Sequence, residues 1–182
     1  MTIEKSLKVL ILFSNLGLSV AFLVGWFQHA LAATFALEAA LPLHVSISSI
    51  AVILSLFSDT SVLFYFIGTG VWIKDRAKEL ASVSQKDQAV RVWNFFEKAN
   101  KLKARSFPFA TFGLMLGVFS FILGGAHQVG ALPTWVYLFV AFFLVVNGWF
   151  GSRFYKKAID QNLFFLDSVS TELDAQPQLN QI

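Results

Sequence analysis

Three long stretches of this sequence are nearly free of charged residues, and this feature constrains the fold more than any other. Residues 9–37 carry no Asp, Glu, Lys or Arg, residues 39–73 carry only Asp59, and residues 106–152 carry none. About 20 helical residues are enough to span the ~30 Å hydrocarbon core of a bilayer. The first two stretches are therefore long enough for one span each, and the third is long enough for two.

The composition agrees with a chain whose surface faces lipid. Hydrophobic residues make up 56% of the sequence and charged residues only 14%. A water-soluble domain has roughly a quarter of its residues charged, so most of the outer surface of this chain must lie against lipid. The absence of cysteine excludes disulfides, thiolate metal sites and cysteine nucleophiles.

These stretches predict an all-α integral membrane protein, a bundle of four transmembrane helices. Pro42 suits the first turn of the second helix, and the Gly- and Pro-containing segment 125–133 separates the last two. The predicted spans cover approximately residues 7–28, 43–73, 107–124 and 134–152. We expect residues 1–173 to form a single membrane domain and residues 174–182 to form a polar C-terminal tail.

The N-terminus also has features of a secretory signal peptide. Lys5 and Lys8 precede an apolar run, and Ala30-Leu31-Ala32 is a candidate cleavage site. The apolar part of a signal peptide usually has about 7–15 residues, whereas the run from Val9 to Phe27 is longer. We therefore interpret this segment as an uncleaved span.

The basic residues lie on one side of the predicted spans. All 14 Lys and Arg occur at the N-terminus, in the 74–105 loop or from Arg153 onward, and loops 29–41 and 125–133 contain none. Cytoplasmic loops are enriched in Lys and Arg. The sequence therefore predicts a multi-pass protein of a bacterial-type inner membrane, with both termini and the 74–105 loop in the cytoplasm.

The 74–105 loop has the pattern of an amphipathic helical hairpin. Residues 74–83 extend the second span, residues 84–87 form a turn, and residues 88–103 form a return helix with one basic side. The apolar positions of that helix recur at helical spacing: Val92, Phe95, Phe96, Ala99 and Leu102. Such a hairpin either lies in solvent beside anionic headgroups or is a docking site for a partner protein.

The chain has three histidines, His29, His44 and His127, each at the outer end of a different predicted span. His29 and His127 continue stripes of small residues, which mark places where membrane helices approach each other. His44 begins a polar stripe that includes Asp59, and polar residues in a span normally face the interior of the bundle. We therefore expect the three imidazoles to converge near the outer mouth of the bundle.

Converging histidines could bind a cofactor, because neutral imidazole is a common ligand of metals and of haem iron. His44 and His127, with His29 as a third candidate, could bind a b-type haem. All three, with Glu38 as an oxygen ligand, could bind a divalent metal instead. Alternatively, the histidines are interfacial polar residues bonded to loop carbonyls. A ligand shared by His44 and His127 requires their rings to lie within about 15 Å of each other.

Apart from Lys8 at the edge of the first span, Asp59 is the only charged residue inside a predicted span. Placing an Asp at the centre of a span costs about 2.5–3.5 kcal/mol on the translocon scale. Serines surround it, with Ser55 one helical turn earlier. One interpretation is a proton or ion pathway. The other is a structural role, in which Asp59 bonds a helix carbonyl or Asn15 and holds two helices in register.

Gly68 and Gly70 lie at the cytoplasmic end of the second span, in the string Phe64-Tyr65-Phe66-Ile67-Gly68-Thr69-Gly70. Small residues allow close contact with another helix or a local kink. The string has no phosphate-loop context, because no strand precedes it and no Gly-Lys-Ser/Thr follows. We therefore interpret it as a packing surface.

No motif in the sequence indicates an enzyme. We hypothesise a non-catalytic structural or accessory subunit of a membrane complex. Its expected partners are the lipid bilayer and either other membrane subunits or further copies of the chain, and not nucleic acid. The alternative is an electron-transfer protein that binds a b-type haem or a metal through its histidines. A further alternative is the proton or ion pathway through Asp59.

Overall fold

The structure is a computed structural model that describes the backbone of residues 3–32, 40–82 and 86–174, and the side chains of residues 3–27, 44–82 and 86–171. Apart from a short connection at 129–133, all of the described backbone is helical. The four helices are α1 (Ile3–Ala32), α2 (Ala40–Ser82), α3 (Lys86–Gln128) and α4 (Thr134–Asp174).

Each of the four helices contains a segment that is long and apolar enough to cross a membrane. These segments are Ile3–Phe27, His44–Ser82, Lys86–Gln128 and Thr134–Thr171. An all-helical fold with four such helices is therefore confirmed. The residues of the predicted polar tail from 175 onward lie outside the described residues.

The helices are longer than the predicted spans. Helix α2 continues to Ser82, within the extension of the second span expected over residues 74–83. Helix α3 is a single helix of 43 residues where a separate return helix and third span were predicted. Pro108 lies inside α3. A proline removes one backbone hydrogen bond, but the hydrogen bonds on either side of it keep this helix continuous. The predicted turn at 84–87 is wrong at its second half, because α3 already begins at Lys86; residues 84 and 85 lie outside the described residues.

The sequence predicted that the break between the last two helices begins at Gly125. In the structure the break lies after Gln128. The carbonyl of Gly125 still accepts a bond from the Val129 amide at 3.4 Å. Gly130 then has a φ of 74°, a left-handed conformation that glycine adopts without a steric penalty. This residue, two positions beyond the last helical one, turns the chain towards α4.

The chain divides into two compact units. Unit 1 comprises Met1–Ser61 and Pro108–Arg153 and contains segments of all four helices. Its apolar core is built from α1, α2 and α4, with one partly buried side chain of α3, Leu116, packed against it. The buried residues of this core are Leu18, Ala21, Ala51, Val52 and Leu144.

Unit 2 comprises Val62–Phe107 and Phe154–Ile182, with segments of α2, α3 and α4. The predicted apolar stripe of the return helix is part of its core, since Val92 and Ala99 are buried there and Phe95 and Phe96 pack against it. The buried residues of this core are Ile73, Ala77, Leu80, Val92, Ala99 and Val169.

Unit 1 also buries many polar side chains. These are Ser14, Asn15, Ser55, Ser58, Asp59, Ser120 and Ser152. Burying a polar group without a hydrogen-bond partner costs several kcal/mol in hydrocarbon. Within this unit, polar side chains meet at two sites, one at His44 and His127 and one around Asp59.

Candidate functional site

A cavity of about 390 Å³ in unit 1 contains two of the three histidines. His44 of α2 and His127 of α3 both line it, together with Tyr137 of α4, Ser48 and Ser120. Its volume lies within the range of about 300–1,000 Å³ that is typical of small-molecule sites. The walls are mostly apolar, and the few polar groups lie close together, as is common in such sites.

Tyr137 contacts both imidazole rings. The His127 ring is stacked on the Tyr137 ring, with centroids 5.9 Å apart and an interplanar angle of 7°. The His44 ring meets Tyr137 edge-on, with centroids 6.5 Å apart. The two histidine rings are therefore separated by less than twice 6.5 Å, which is within the limit of about 15 Å for a shared ligand.

The short connection between α3 and α4 orients His127. Its Nδ1 lies 3.1 Å from the carbonyl oxygen of Leu132. A carbonyl oxygen only accepts hydrogen bonds, so Nδ1 carries the proton. In the neutral ring Nε2 then has the lone pair, and this is the nitrogen that would bind a metal or accept a hydrogen bond from a ligand.

His44 belongs to a chain of hydrogen bonds that reaches Tyr137. Its Nδ1 lies 3.4 Å from Ser48 Oγ, one helical turn further along α2. The Ser48 hydroxyl is also hydrogen-bonded to the Tyr137 hydroxyl. A hydroxyl donates one hydrogen bond and accepts others, so Ser48 connects an imidazole with a phenol.

Glycines on neighbouring helices allow these rings to pack closely. A β-carbon at Gly25 of α1 would lie 2.7 Å from His44 Cε1, and one at Gly124 would lie 3.3 Å from Tyr137 Cε2. Gly25 and Gly124, which belong to the small-residue stripes predicted on α1 and α3, therefore lie next to aromatic rings of this same chain.

The other proposed metal ligands lie outside the described side chains. His29 belongs to α1, but the structure does not describe its side chain, and Glu38 lies in the undescribed segment 33–39. Among the side chains that the structure does describe, no group of three or more His, Cys, Asp or Glu could hold a metal ion. The metal site with His29 and Glu38 therefore stays a prediction.

The second polar site lies around Asp59, which is buried. A β-carbon at Gly113 of α3 would overlap with Asp59 Oδ2 and would lie 3.0 Å from Asn147 Nδ2. The Asn147 amide donates a hydrogen bond of 3.1 Å to the carbonyl of Phe109. The carboxylate of α2 therefore lies against the backbone of α3, next to an amide of α4.

Asn15 and Ser55, the other polar residues singled out from the sequence, are both buried in unit 1. Asn15 lies against α4, since a β-carbon at Gly148 would be 2.5 Å from its Oδ1. Asn15 and Asp59 thus lie against glycines of two different helices.

Two residues of these sites, Tyr137 and Asn147, were not predicted from the sequence. Asn147 is the only carboxamide residue in the predicted fourth span, so the criterion that selected Asp59 and Asn15 would also have selected it. Tyr137 had a weaker signal, because a tyrosine near the end of a span is usually an interfacial anchor.

The structure has four apolar helices that are long enough to cross a membrane, and unit 1 buries polar side chains. These are the features of a multi-pass membrane protein. Comparison of the chain with protein-family models, with curated proteins and with solved structures finds no match.

Proposed function

We propose that this chain is a non-catalytic accessory subunit of a complex in a bacterial inner membrane, bound to other membrane subunits. The observation that carries this proposal is a helix surface on α2 in unit 2, built from Phe64, Ile67, Gly68 and Val71. We call it the Gly68 surface.

The Gly68 surface is apolar and exposed. Phe64, Ile67 and Val71 are exposed by 68%, 41% and 53%, and no atom lies within 4 Å of a β-carbon built at Gly68. The spacing of these residues places them on one face of the helix. A helix face that only contacts lipid does not need a small residue. A face that packs closely against the backbone of another helix does need one. We therefore infer that a transmembrane helix of another polypeptide packs here.

Cross-linking in native membranes tests this proposal. A photo-reactive amino acid at Ile67 should form adducts with another polypeptide. The matched control is Ile53, on the same helix in unit 1 and exposed by 59%, where adducts with lipid are expected. Adducts of the chain with itself at Ile67 would instead indicate a homo-oligomer. Lipid adducts alone at both positions would refute a subunit contact on this surface.

We also propose that both termini and the 74–105 region are cytoplasmic. The distribution of Lys and Arg supports this orientation. In the 74–105 region, Val92 and Ala99 pack in the core of unit 2 while Lys98 and Lys101 are exposed, which leaves a basic side for anionic headgroups or a partner.

Site-directed labelling tests the topology, and the chain suits it because it has no cysteine. A cysteine at Asp87 should react only with a reagent that reaches the cytoplasm. A cysteine at Ala33 should react with an impermeant reagent added from outside. Labelling of both positions from the same side would refute the proposed orientation.

A second candidate function is electron transfer by a b-type haem or a metal bound in the histidine cavity. The observation that favours it is the contact of His44 and His127 with one tyrosine, in which Nδ1 of His127 donates to a backbone carbonyl and Nε2 is the unprotonated nitrogen. An imidazole whose Nδ1–H donates to a carbonyl is a common arrangement for a metal ligand.

An absorption spectrum and elemental analysis of the purified protein test this second function. Protein purified from haem-replete cells should have a Soret band or contain a stoichiometric metal. The variants His44→Ala and His127→Ala should lose the Soret band or the bound metal. The variant Gln128→Ala, at the same cavity, should keep it. Colourless protein without bound metal would rule out this function and leave the subunit role unaffected.

A further inference from the structure

We propose that unit 1 has a binding site for an anionic phospholipid, with an acyl chain in a groove between α3 and α4 and the phosphate at Arg153. The groove has a volume of about 490 Å³. Six of its seven lining residues are apolar: Pro108, Phe109, Phe112, Phe143, Val146 and Phe150. The seventh is Asn147, whose amide nitrogen is already bonded to the Phe109 carbonyl.

The direction of the groove fits a lipid. Asn147 bonds to Phe109, so the groove has Pro108 and Phe150 at one end and Phe112 and Phe143 at the other. Phe143 and Phe150 are about 10 Å apart along the axis of α4, at about 1.5 Å per residue. The groove therefore follows the helices, which is the direction of an acyl chain in a bilayer.

A cation lies at one end of this groove. The Arg153 guanidinium is 5.9 Å from the centre of the Phe150 ring, and Phe150 lines the groove. Arg153 is exposed and is the only charged residue between positions 108 and 153. It therefore lies where the uncharged segment ends, at the level expected for headgroup phosphates.

Charge complementarity selects an anionic phospholipid as the occupant. A guanidinium forms paired hydrogen bonds with phosphate oxygens, and its stem and the phenyl ring below it remain in apolar contact. A zwitterionic lipid would fill the groove equally well but would gain less from Arg153, because its own ammonium group compensates the phosphate. An interfacial Lys or Arg contributes about fivefold in affinity for an anionic lipid.

Native mass spectrometry of the full chain in detergent tests the site. Phosphatidylglycerol and phosphatidylcholine with identical acyl chains are titrated separately, and the expected result is about fivefold tighter binding of phosphatidylglycerol. Arg153→Gln should remove this preference. Lys5→Gln, which removes an exposed charge elsewhere in unit 1, should retain it. Val146→Trp, which fills the groove without changing the charge, should weaken the binding of both lipids.

Three results would overturn the proposal. One is equal affinity of the unmodified chain for both lipids. Another is equal loss of preference in Arg153→Gln and Lys5→Gln, which would indicate a diffuse effect of net charge. The third is a photo-reactive group at Phe143 that forms adducts with a polypeptide in native membranes, which would make the groove a protein interface. Circular dichroism and thermal unfolding of each variant show whether its fold is intact.

Discussion

The two units of this chain differ in how they use glycine and polar side chains. In unit 1, three glycines lie directly against polar side chains of other helices: Gly25 against His44, Gly113 against Asp59 and Gly148 against Asn15. In unit 2, no atom lies within 4 Å of a β-carbon at Gly68 or Gly70, and the core is formed by aliphatic residues such as Ile73 and Leu80.

This difference indicates what holds each unit together. Aliphatic residues pack without directional bonds, so the core of unit 2 depends on filled volume. A polar side chain inside a membrane bundle needs a partner and a place where a backbone can approach it. The glycines supply that place in unit 1, and its structure therefore depends on the fit of a few specific contacts.

The largest expected effect is the loss of a fully buried aliphatic side chain in unit 2. Leu80 is exposed by only 1%, and Leu80→Ala should lower the free energy of unfolding by about 2–5 kcal/mol, because it leaves a cavity. Denaturant titration in detergent, followed by circular dichroism, measures it. The control Leu163→Ala, at a position exposed by 37%, should have a much smaller effect. Equal losses would contradict a volume-dependent core.

The next largest expected effect is a difference in stability between Gly→Ala variants of the two units. Gly113→Ala should destabilise the protein by about 1–3 kcal/mol, because the new methyl group overlaps with Asp59. Gly70→Ala should be neutral or stabilise by up to about 1 kcal/mol, because the space is open and alanine favours a helix. Parallel thermal unfolding of both variants tests the contrast, which fails if they shift the midpoint equally.

Substitutions at Asp59 can show whether the polar interior of unit 1 has a structural role or a chemical one. If the role is structural, Asp59→Asn should preserve the hydrogen bonding and leave stability and assembly intact. Asp59→Leu should then cost about 1–3 kcal/mol, as expected for a lost buried partner. We expect this outcome. The proton pathway would be favoured instead if the unmodified protein conducted protons in proteoliposomes and the Asn variant assembled normally but did not.

The smallest effect concerns a buried amide in unit 2. Asn162 is completely buried and donates to Thr69 Oγ1 at 2.9 Å, but its Oδ1 has no hydrogen-bond partner among the described residues. Leucine removes the unpaired Oδ1, and the Thr69 hydroxyl keeps its own hydrogen bond to the Tyr65 carbonyl at 2.9 Å, so the substitution leaves no hydroxyl proton unpaired. Asn162→Leu should therefore change stability by less than about 1 kcal/mol.

The matched variant in unit 1 is Asn147→Leu, which removes the bond to the Phe109 carbonyl. It should cost about 1 kcal/mol, the usual net value of such a bond. Thermal unfolding compares the two variants directly. A larger loss for Asn162→Leu than for Asn147→Leu would reverse the contrast between the units.

The number of spanning helices could be predicted because it depends only on where charges are absent. Residues 106–152 are long enough for two spans, and the Gly- and Pro-containing segment within them indicated where to divide them. The helix ends were harder, because a helix continues until a residue stops it. Nothing before Ser82 stops α2, and Pro108 does not end α3.

The sites could be predicted only in part. Periodicity placed His44 and His127 on faces that could converge, and the structure brings both to one cavity. Periodicity gives the rotation of one helix but not the partner that it meets. The contact of both rings with Tyr137 depends on how closely α4 approaches α2 and α3. Gly124 permits the approach to α3, and no pattern within one helix reveals it.

The continuity of α3 means that one helix must exist in two solvents. Its 43 residues extend about 65 Å at 1.5 Å per residue, roughly twice the thickness of the hydrocarbon core. A backbone amide that opens in water finds a water molecule at once, whereas one that opens in lipid finds none. Hydrogen–deuterium exchange along this single helix should therefore fall steeply from Lys86 towards Gly117, with the change marking the surface of the bilayer.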